Sequence, residues 1–238
     1  MGFVAAFGLA EALTRLVAPH PRYPVFSVPD ERVGCISEPR HRGRATNMFG
    51  EFDTAIQINQ EGFRDRDYPL VKPPNTLRIA FLGDSFTCAE QVEEKATFVR
   101  RTETLLNEKL RSKGGNPSQI ECMNFGVGGY DTYQEALCYE AFVRKYHPDL
   151  VVLAMYVHND LIGNSFYLVE NGFGRPYFHL VNGALEKVPA DRARLEENYR
   201  EIQRRFSVRW YHHSQFYNAL RQLFWEIRQQ SRRKEELA

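Results

Sequence analysis

The fold is decided by one stretch, Leu77-Arg78-Ile79-Ala80-Phe81-Leu82-Gly83-Asp84-Ser85-Phe86-Thr87. It begins as a short apolar run and ends on a glycine, an acid and a serine, which is typical of a strand buried on both faces. Ser85 then follows the carboxyl end of that strand, where ligands bind in open α/β sheets. A hydroxyl held there by a rigid strand is a candidate nucleophile. The alternative is that Asp84 and Ser85 only cap the helix that follows.

The composition is that of an ordinary globular chain. Its 238 residues suffice for one domain with a real core, and 43% of them are hydrophobic and 26% charged. A formal net charge of +1 argues against bulk nucleic-acid binding, so no nucleic-acid partner is expected. The four cysteines form no C-x-x-C pair, which argues against a zinc or redox motif, and no metal or cofactor is expected.

Helices and strands alternate after the first strand. Residues 97–110 carry apolar side chains at helical spacing, and residues 120–125 form a second apolar run. A glycine-rich turn at residues 126–130 precedes a second helix, in which Thr132 and Glu135 have the spacing of a capping box. This order predicts an α/β fold with a parallel sheet and right-handed crossovers.

The third strand of the series, residues 150–157, is apolar without interruption, which predicts a central position in the sheet. Parallel strands bring their carboxyl ends to one edge. Small or polar residues follow all three strands: Gly83-Asp84-Ser85, Gly128-Gly129 and His158-Asn159-Asp160. We therefore expect these residues to converge on one site.

The segments outside this core are predicted as follows. Residues 1–17 are apolar but shorter than the roughly 20 residues that span a bilayer, so they are either the remnant of a membrane anchor or an amphipathic helix packed on the domain. Residues 18–74 are an irregular lead-in with a short hairpin, and residues 75–165 are the α/β core. Residues 166–238 are a hairpin insertion, with turns at Asn171-Gly172 and Asn182-Gly183, and C-terminal helices with an apolar stripe from Phe216 to Ile227.

Three blocks of the chain resemble the SGNH hydrolases, also called GDSL-type esterases. The blocks are Gly83-Asp84-Ser85-Phe86, the glycine turn after Asn124, and the Asn159-Asp160 pair. The lead-in from Ile58 to Asp65 is similar to bacterial members of that superfamily, and the resemblance covers residues 55–165. It implies a flavodoxin-like three-layer α/β/α fold with a parallel sheet, and ester hydrolysis or acyl transfer.

The resemblance also implies a site. Ser85 is the expected nucleophile, and its backbone N–H, the Gly129 N–H and the Asn159 side-chain amide are expected to donate to the oxyanion on the attacked carbonyl. One such donor contributes about 3 kcal/mol to transition-state stabilisation. Glycine suits the second position because it has no Cβ, and asparagine suits the third because its amide donates without charge. The alternative for Asn159 is a loop cap. The expected supporting residues are Asp84, Gly128 and Asp160.

One block of the family's pattern is missing. The family carries an Asp-x-x-His segment near its C-terminus, where the histidine is the general base and the aspartate orients it. None of the seven histidines here has an aspartate three residues before it, and His158 would be an unusual substitute. Only three strands are found where a doubly wound fold of this type has about five. The sequence is therefore expected to be C-terminally truncated, which the coding DNA past Ala238 would test.

Two functions of different classes remain open. The first is a serine esterase or acyltransferase that acts on small acyl esters or on O-acetyl groups of glycans. The second is a non-catalytic ligand- or glycan-binding module that keeps the pocket without the general base. A dinucleotide or flavin binder is disfavoured because the glycine turn follows the second strand and lacks G-x-G-x-x-G spacing. Membrane attachment through residues 1–17 would favour a membrane-anchored or extracytoplasmic location over a cytoplasmic one.

Overall fold

A computed structural model of the chain describes residues 2–17, 26–46, 51–114, 116–164 and 173–206, and also 214, 216–217, 219–220 and 223–224. The strands in these residues are β1 (Ser27–Asp30), β2 (Gly34–Ser37), β3 (Arg42–Thr46), β4 (Asp53–Gln57), β5 (Thr76–Gly83), β6 (Gln119–Gly126), β7 (Leu150–Ala154), β8 (Tyr177–Val181) and β9 (Ala184–Val188). The α-helices are α1 (Gly2–Val17), α2 (Ser85–Cys88), α3 (Phe98–Lys113), α4 (Thr132–Cys138), α5 (Val157–Gly163) and α6 (Arg192–Phe206). Shorter helical pieces are the 3₁₀ turns Glu94–Ala96 and Arg144–Tyr146 and the π-helical turn Tyr139–Val143.

The centre of the fold is a parallel sheet in the order β6-β5-β7. The register pairs Gly83 at the end of β5 with Gly126 of β6 on one side and with Ala154 of β7 on the other. Apart from the half-buried Leu77, every residue of β5 is buried, which agrees with its apolar sequence. The predicted mixed α/β fold with a parallel sheet is therefore confirmed.

Helices cover both faces of this sheet. Ile79 and Phe81 of β5 pack with Val99 of α3 on one face. Ala80 and Leu82 point to the other face and pack with side chains from α4 and the helical turns after it, including Phe142. This alternation follows from the two-residue period of a strand, and each fully buried large apolar side chain contributes about 1.5–3 kcal/mol.

The position of β7 differs from the prediction. Within the described chain β5 is the central strand, and β7 pairs with β5 alone, so the central placement of residues 150–157 is wrong. The strand also ends at Ala154, and residues from Val157 onward are helical. Leu150 and Leu153 of β7 are 52% and 46% exposed. An apolar run predicts a strand, but it does not show how many neighbours that strand has.

The lead-in is more regular than its composition predicts. β1 and β2 form an antiparallel hairpin, and β3 pairs antiparallel with β4. The lead-in predicted to be irregular over residues 18–74, apart from one short hairpin, therefore contains the four strands β1 to β4 in two hairpin-like pairs. Val33 and Ile36 join the core on the α4 side of the sheet. The lead-in is thus packed against the α/β core.

The hairpin predicted at Asn182-Gly183 is confirmed. β8 and β9 pair antiparallel, and both turn residues have positive φ angles, 51° and 83°, as a two-residue type I′ turn requires. The turn predicted at Asn171-Gly172 lies outside the described residues. α6 agrees with the helix predicted after residue 190, and of the later apolar stripe the structure describes only the helical residues 216–217, 219–220 and 223–224.

The N-terminal segment is the 16-residue helix α1. It exposes Leu9, Leu13 and Leu16, and the ring of Phe7 lies 5.8 Å from the ring of Phe216, centroid to centroid. Across the described parts of the chain, every helix falls short of the length and apolarity that crossing a bilayer requires.

Two glycines allow α2 to lie against the strand ends. A Cβ at Gly83 would lie 2.8 Å from the Thr87 Cβ, and one at Gly126 would lie 2.6 Å from the Thr87 carbonyl carbon. Real Cβ atoms do not approach other heavy atoms so closely. Residues of α2 therefore occupy the space that a side chain would need: the Thr87 side chain lies there at Gly83, and the Thr87–Cys88 backbone lies there at Gly126.

We expect Gly126→Ala to lower the free energy of unfolding by about 1–3 kcal/mol, the usual cost of overpacking a filled site. The neighbouring substitution Gly128→Ala is the control, because its nearest contact would be an ordinary 3.9 Å. Urea unfolding of both variants measures the difference. Equal stabilities would show that α2 can move away from β6 at little cost.

Candidate functional site

The three strand ends converge at one edge, as the sequence predicts. Because Gly83 is in register with both Gly126 and Ala154, the segments that follow these residues leave the sheet side by side. The ring of Phe86 after β5 lies 4.8 Å from the ring of Tyr156 after β7, centroid to centroid. The candidate site is therefore this carboxyl edge of the sheet.

Ser85 is the first residue of α2 and is partly exposed. Asp84 precedes it as the N-cap, and its Oδ1 accepts a hydrogen bond of 2.9 Å from the Phe86 backbone N–H. Asp84 is thus a helix cap, as the alternative interpretation of the motif predicts for this residue. The cap also fixes the peptide on either side of Ser85.

The glycine turn after β6 lies beside Ser85. A Cβ at Gly128 would be 3.9 Å from the Ser85 Cβ, so the Gly128 backbone passes close to the serine side chain. Gly129 follows with a φ of +78°, in the left-handed region that favours glycine. A Cβ at Gly129 would meet no atom within 4 Å. Glycine is needed there for backbone conformation, and the position is open to a ligand.

The third predicted block lies on α5. The backbone of Asn159 belongs to this helix, while its side chain and that of His158 lie outside the described structure. Asp160 is fully buried, and its Oδ2 accepts a 2.7 Å hydrogen bond from the Tyr156 backbone N–H. The Asp160 side chain therefore caps the backbone at the start of α5.

Asn124 connects the glycine turn to α2, and sequence analysis did not include it among the site residues. Its Nδ2 donates a 2.8 Å hydrogen bond to the Thr87 carbonyl, and its Oδ1 accepts one of 2.9 Å from the Gly126 N–H. Asn124 is 4% exposed, so these bonds are shielded from water. The signal was its place at the end of a strand, directly before the turn.

Four carboxyl groups gather beneath this edge: Asp84, Asp131, Glu135 and Asp160. All four are buried, and a Cβ at Gly163 of α5 would overlap the Asp131 carboxyl group. Both carboxyl oxygens of Glu135 and the Oδ1 of Asp160 have no hydrogen-bond partner. Burial, reinforced by the negative charges of Asp160, Asp84 and Asp131, raises the pKa of Glu135 to about 8. Glu135 therefore holds a proton at neutral pH.

The capping box predicted at the start of α4 is wrong. Asp131 is the N-cap residue and makes no side-chain cap hydrogen bond, while the Thr132 Oγ1 and both Glu135 oxygens are unpartnered. Sequence spacing alone does not distinguish a glutamate that turns back to the helix start from one buried beneath the sheet edge.

The lead-in supplies two further buried polar residues that sequence analysis did not place in the site. Asp65 accepts a 2.7 Å hydrogen bond from the Asn124 backbone N–H and forms an ion pair with Arg100. Burial raises the pKa of Asp65 to about 6, against the lowering effect of Arg100 and of two backbone N–H groups. Its neighbour Arg64 bonds to the segment that follows Ser85. The signal was the lead-in resemblance.

No His, Cys, Asp or Glu side chains among the described residues form a group of three or more that could hold a metal ion. No protein-family model matches this chain. No curated protein matches it either.

The proton on Glu135 makes the stability of the protein depend on pH. Between the ordinary pKa of 4.5 and about 8, the native state holds a proton that the unfolded state has released, so stability falls as the pH rises through this range. Glu135→Gln removes this dependence. We expect the variant to melt at least about 2–4 °C above the wild type at pH 8, the effect of 1 kcal/mol in a chain of this size, and near the wild type at pH 5.

Thermal unfolding at a series of pH values measures this, with Glu140→Gln as the control. Glu140 is exposed and pairs with Arg144 one turn later, so its substitution leaves the pH profile unchanged. Parallel profiles for Glu135→Gln and the wild type would show that Glu135 is ionised in the folded protein.

Proposed function

We propose that this chain is a serine-dependent ester hydrolase or acyltransferase of the SGNH type, with Ser85 as the nucleophile. One observation supports the proposal most strongly. At the carboxyl edge of the parallel sheet, the partly exposed Ser85 lies beside the open glycine turn at Gly128 and Gly129. Backbone N–H groups beside a hydroxyl are what acyl transfer needs, because the reaction turns a carbonyl oxygen into an anion.

The proposal includes a flavodoxin-like type for the sheet. The order β6-β5-β7 places the second strand of the series beside the first, and the third on the first strand's other side. This is how the flavodoxin-like order 2-1-3-4-5 begins, and ligands bind there at the switch point between strands 1 and 3. Ser85 follows the first of these strands, and Tyr156 follows the third.

In the proposed reaction the Ser85 Oγ attacks the ester carbonyl carbon, its proton passes to a general base, and the carbonyl electrons move to the oxygen. The N–H groups of Ser85 and Gly129 and the amide of Asn159 donate to that oxyanion. Collapse of the intermediate breaks the bond to the leaving alcohol, which takes up a proton. Water or an acceptor alcohol then removes the acyl group from Ser85.

The proposed substrates are small acyl esters or O-acetyl groups of glycans. Phe86 and Tyr156 are 62% and 41% exposed, and their rings lie in contact, with Phe86 directly after Ser85 in the chain. These rings give a substrate an apolar surface next to the nucleophile, as ligand sites usually have.

A second candidate is a binding module that uses the same edge without catalysis. It is favoured by one sequence fact, the lack of any histidine with an aspartate three residues before it. Such a module would bind an ester or acetylated glycan and leave it intact.

We expect Ser85→Ala to abolish labelling by a fluorophosphonate probe, because labelling forms a bond from the serine Oγ to phosphorus and expels fluoride. The control is Ser112→Ala, an exposed serine on α3 whose hydroxyl donates to the Lys109 carbonyl. Intact-mass spectrometry measures the labelled fraction, and far-UV circular dichroism checks the fold. Labelling that persists in Ser85→Ala would show that Ser85 is not the nucleophile. A wild-type protein that binds acetylated glycan but is never labelled would favour the binding module.

We expect Asn159→Ala to slow p-nitrophenyl acetate turnover about 100-fold, the effect of losing one oxyanion donor. The matched control is Asn164→Ala, just after the same helix, where the side chain accepts a 3.1 Å hydrogen bond from the Tyr133 N–H. The control affects stability and leaves turnover near the wild-type value. An unchanged rate in Asn159→Ala would exclude this residue from the oxyanion hole.

A further inference from the structure

The guanidinium of Arg64 is buried directly behind the segment that carries Ser85. Arg64 is only 2% exposed. The two Nη atoms of its guanidinium donate hydrogen bonds to four backbone carbonyl oxygens. The acceptors are the carbonyls of Cys88 (3.2 Å), Ala89, Val92 (2.7 Å) and Ala55 (3.3 Å). Three of these four acceptors lie in the last residue of α2 and the loop after it.

The residues that Arg64 binds are themselves hydrogen-bonded to the backbone on either side of Ser85. Arg64 binds the Ala89 carbonyl, and the N–H of Ala89 donates a 2.8 Å hydrogen bond to the Ser85 carbonyl. In the same way Arg64 binds the Cys88 carbonyl, and the N–H of Cys88 donates a 3.0 Å bond to the Asp84 carbonyl. Cys88 and Ala89 therefore link one guanidinium to the carbonyls of Asp84 and Ser85, which belong to the two peptides that flank Ser85.

The position of Arg64 is not explained by an ion pair. None of the ion pairs among the described residues involves Arg64. A buried cation without a carboxylate is unfavourable unless polar groups solvate it. Here the four backbone carbonyls solvate the buried guanidinium. Because its N–H donors lie in one plane at fixed angles, the guanidinium also fixes the positions of these carbonyls relative to one another. A lysine has one nitrogen and cannot hold four carbonyls in this arrangement.

Asp65, the residue after Arg64, contacts the strand β6 that leads to the glycine turn. Asp65 accepts a hydrogen bond from the N–H of Asn124, and Asn124 in turn bonds to the Thr87 carbonyl and the Gly126 N–H. Two consecutive residues of the lead-in thus reach both α2 and the strand that delivers the glycine turn.

We propose that Arg64 is a positioning residue that fixes Ser85 relative to the glycine turn. The role rests on the proposed function of Ser85. A displacement of about 1 Å in a reacting group can slow a reaction about 100-fold. Weakening the Arg64 contacts therefore slows the chemistry of Ser85 beyond any effect on global stability.

The test compares Arg64→Lys with Arg78→Lys. Arg78 is fully buried and also donates to backbone carbonyls, those of Leu70, Pro69 and Tyr146, besides pairing with Glu121. It lies in the amino-terminal half of β5, about 16 Å along the strand from Gly83. Both substitutions remove a buried guanidinium with its N–H donors, but only the guanidinium of Arg64 contacts the segment that carries Ser85.

The readout is the fluorophosphonate labelling rate of Ser85, separated into the maximal rate and the half-saturating probe concentration. It is measured at a temperature where all variants are folded. We expect Arg64→Lys to lower the maximal rate at least about 10-fold, and Arg78→Lys to leave it within about twofold. Equal rates in the two variants, at comparable losses of stability, would make Arg64 a structural residue only.

Amide hydrogen exchange separates this proposal from the proposed function. We expect faster exchange across residues 85–92 in Arg64→Lys but not in Arg78→Lys, whether or not Ser85 reacts. A wild type that the probe never labels overturns the proposed function, and unchanged exchange in Arg64→Lys overturns the positioning role.

If Arg64→Lys does not fold, side-chain NMR of the wild type decides the question. Slowly exchanging Nη protons of Arg64 support its positioning role, and rapidly exchanging ones contradict it.

Discussion

The candidate site depends on the close approach of α2 to the ends of β5 and β6, with the Thr87 side chain against Gly83 and the Thr87–Cys88 backbone against Gly126. This approach is possible only because Gly83 and Gly126 have no side chains. Once α2 lies in that space, the Asn124 amide can bond to the Thr87 carbonyl, and Ser85 comes to lie beside the Gly128 backbone. A packed backbone cannot shift to suit one neighbour without disturbing the others, so this contact fixes the geometry of the whole edge.

The fixed position of α2 leaves polar groups buried behind it, and the lead-in satisfies them. The carbonyls at the end of a helix have no partner within the helix. Those of Cys88 and Ala89 are satisfied by Arg64, which comes from a turn outside the parallel sheet. The lead-in is therefore part of the site in energetic terms: an unpaired buried carbonyl costs about 1–3 kcal/mol, so the loop after Ser85 would open if the turn were absent.

The sequence predicts features that depend on local pattern and misses features that depend on neighbours. The strand at residues 77–83 and the turn at Asn182-Gly183 follow from apolar runs and turn chemistry, and both are found. The single neighbour that β7 has among the described residues could not be predicted, because an apolar run has the same sequence with one neighbouring strand as with two. Glu135 and Arg64 were misassigned or omitted for the related reason that a charged residue is expected at the surface, whereas both are buried here. The resemblance at residues 58–65 marked the segment without revealing that its charges point inward.

The two buried polar systems of the edge act on the proposed reaction in opposite ways. Arg64 and Asn124 hold the backbone of α2 and so order the peptides around Ser85, which favours an oxyanion there. The four carboxyl groups beneath the edge oppose it where they are ionised, because at an effective dielectric constant of about 20 two negative charges about 8 Å apart repel each other by about 2 kcal/mol. That is most of what one oxyanion donor contributes, about 3 kcal/mol. An oxyanion at Ser85 therefore requires that the acidic cluster not be fully ionised. Burial contributes to this condition, because it raises the pKa of Glu135 to about 8 and so keeps that carboxyl group neutral at neutral pH.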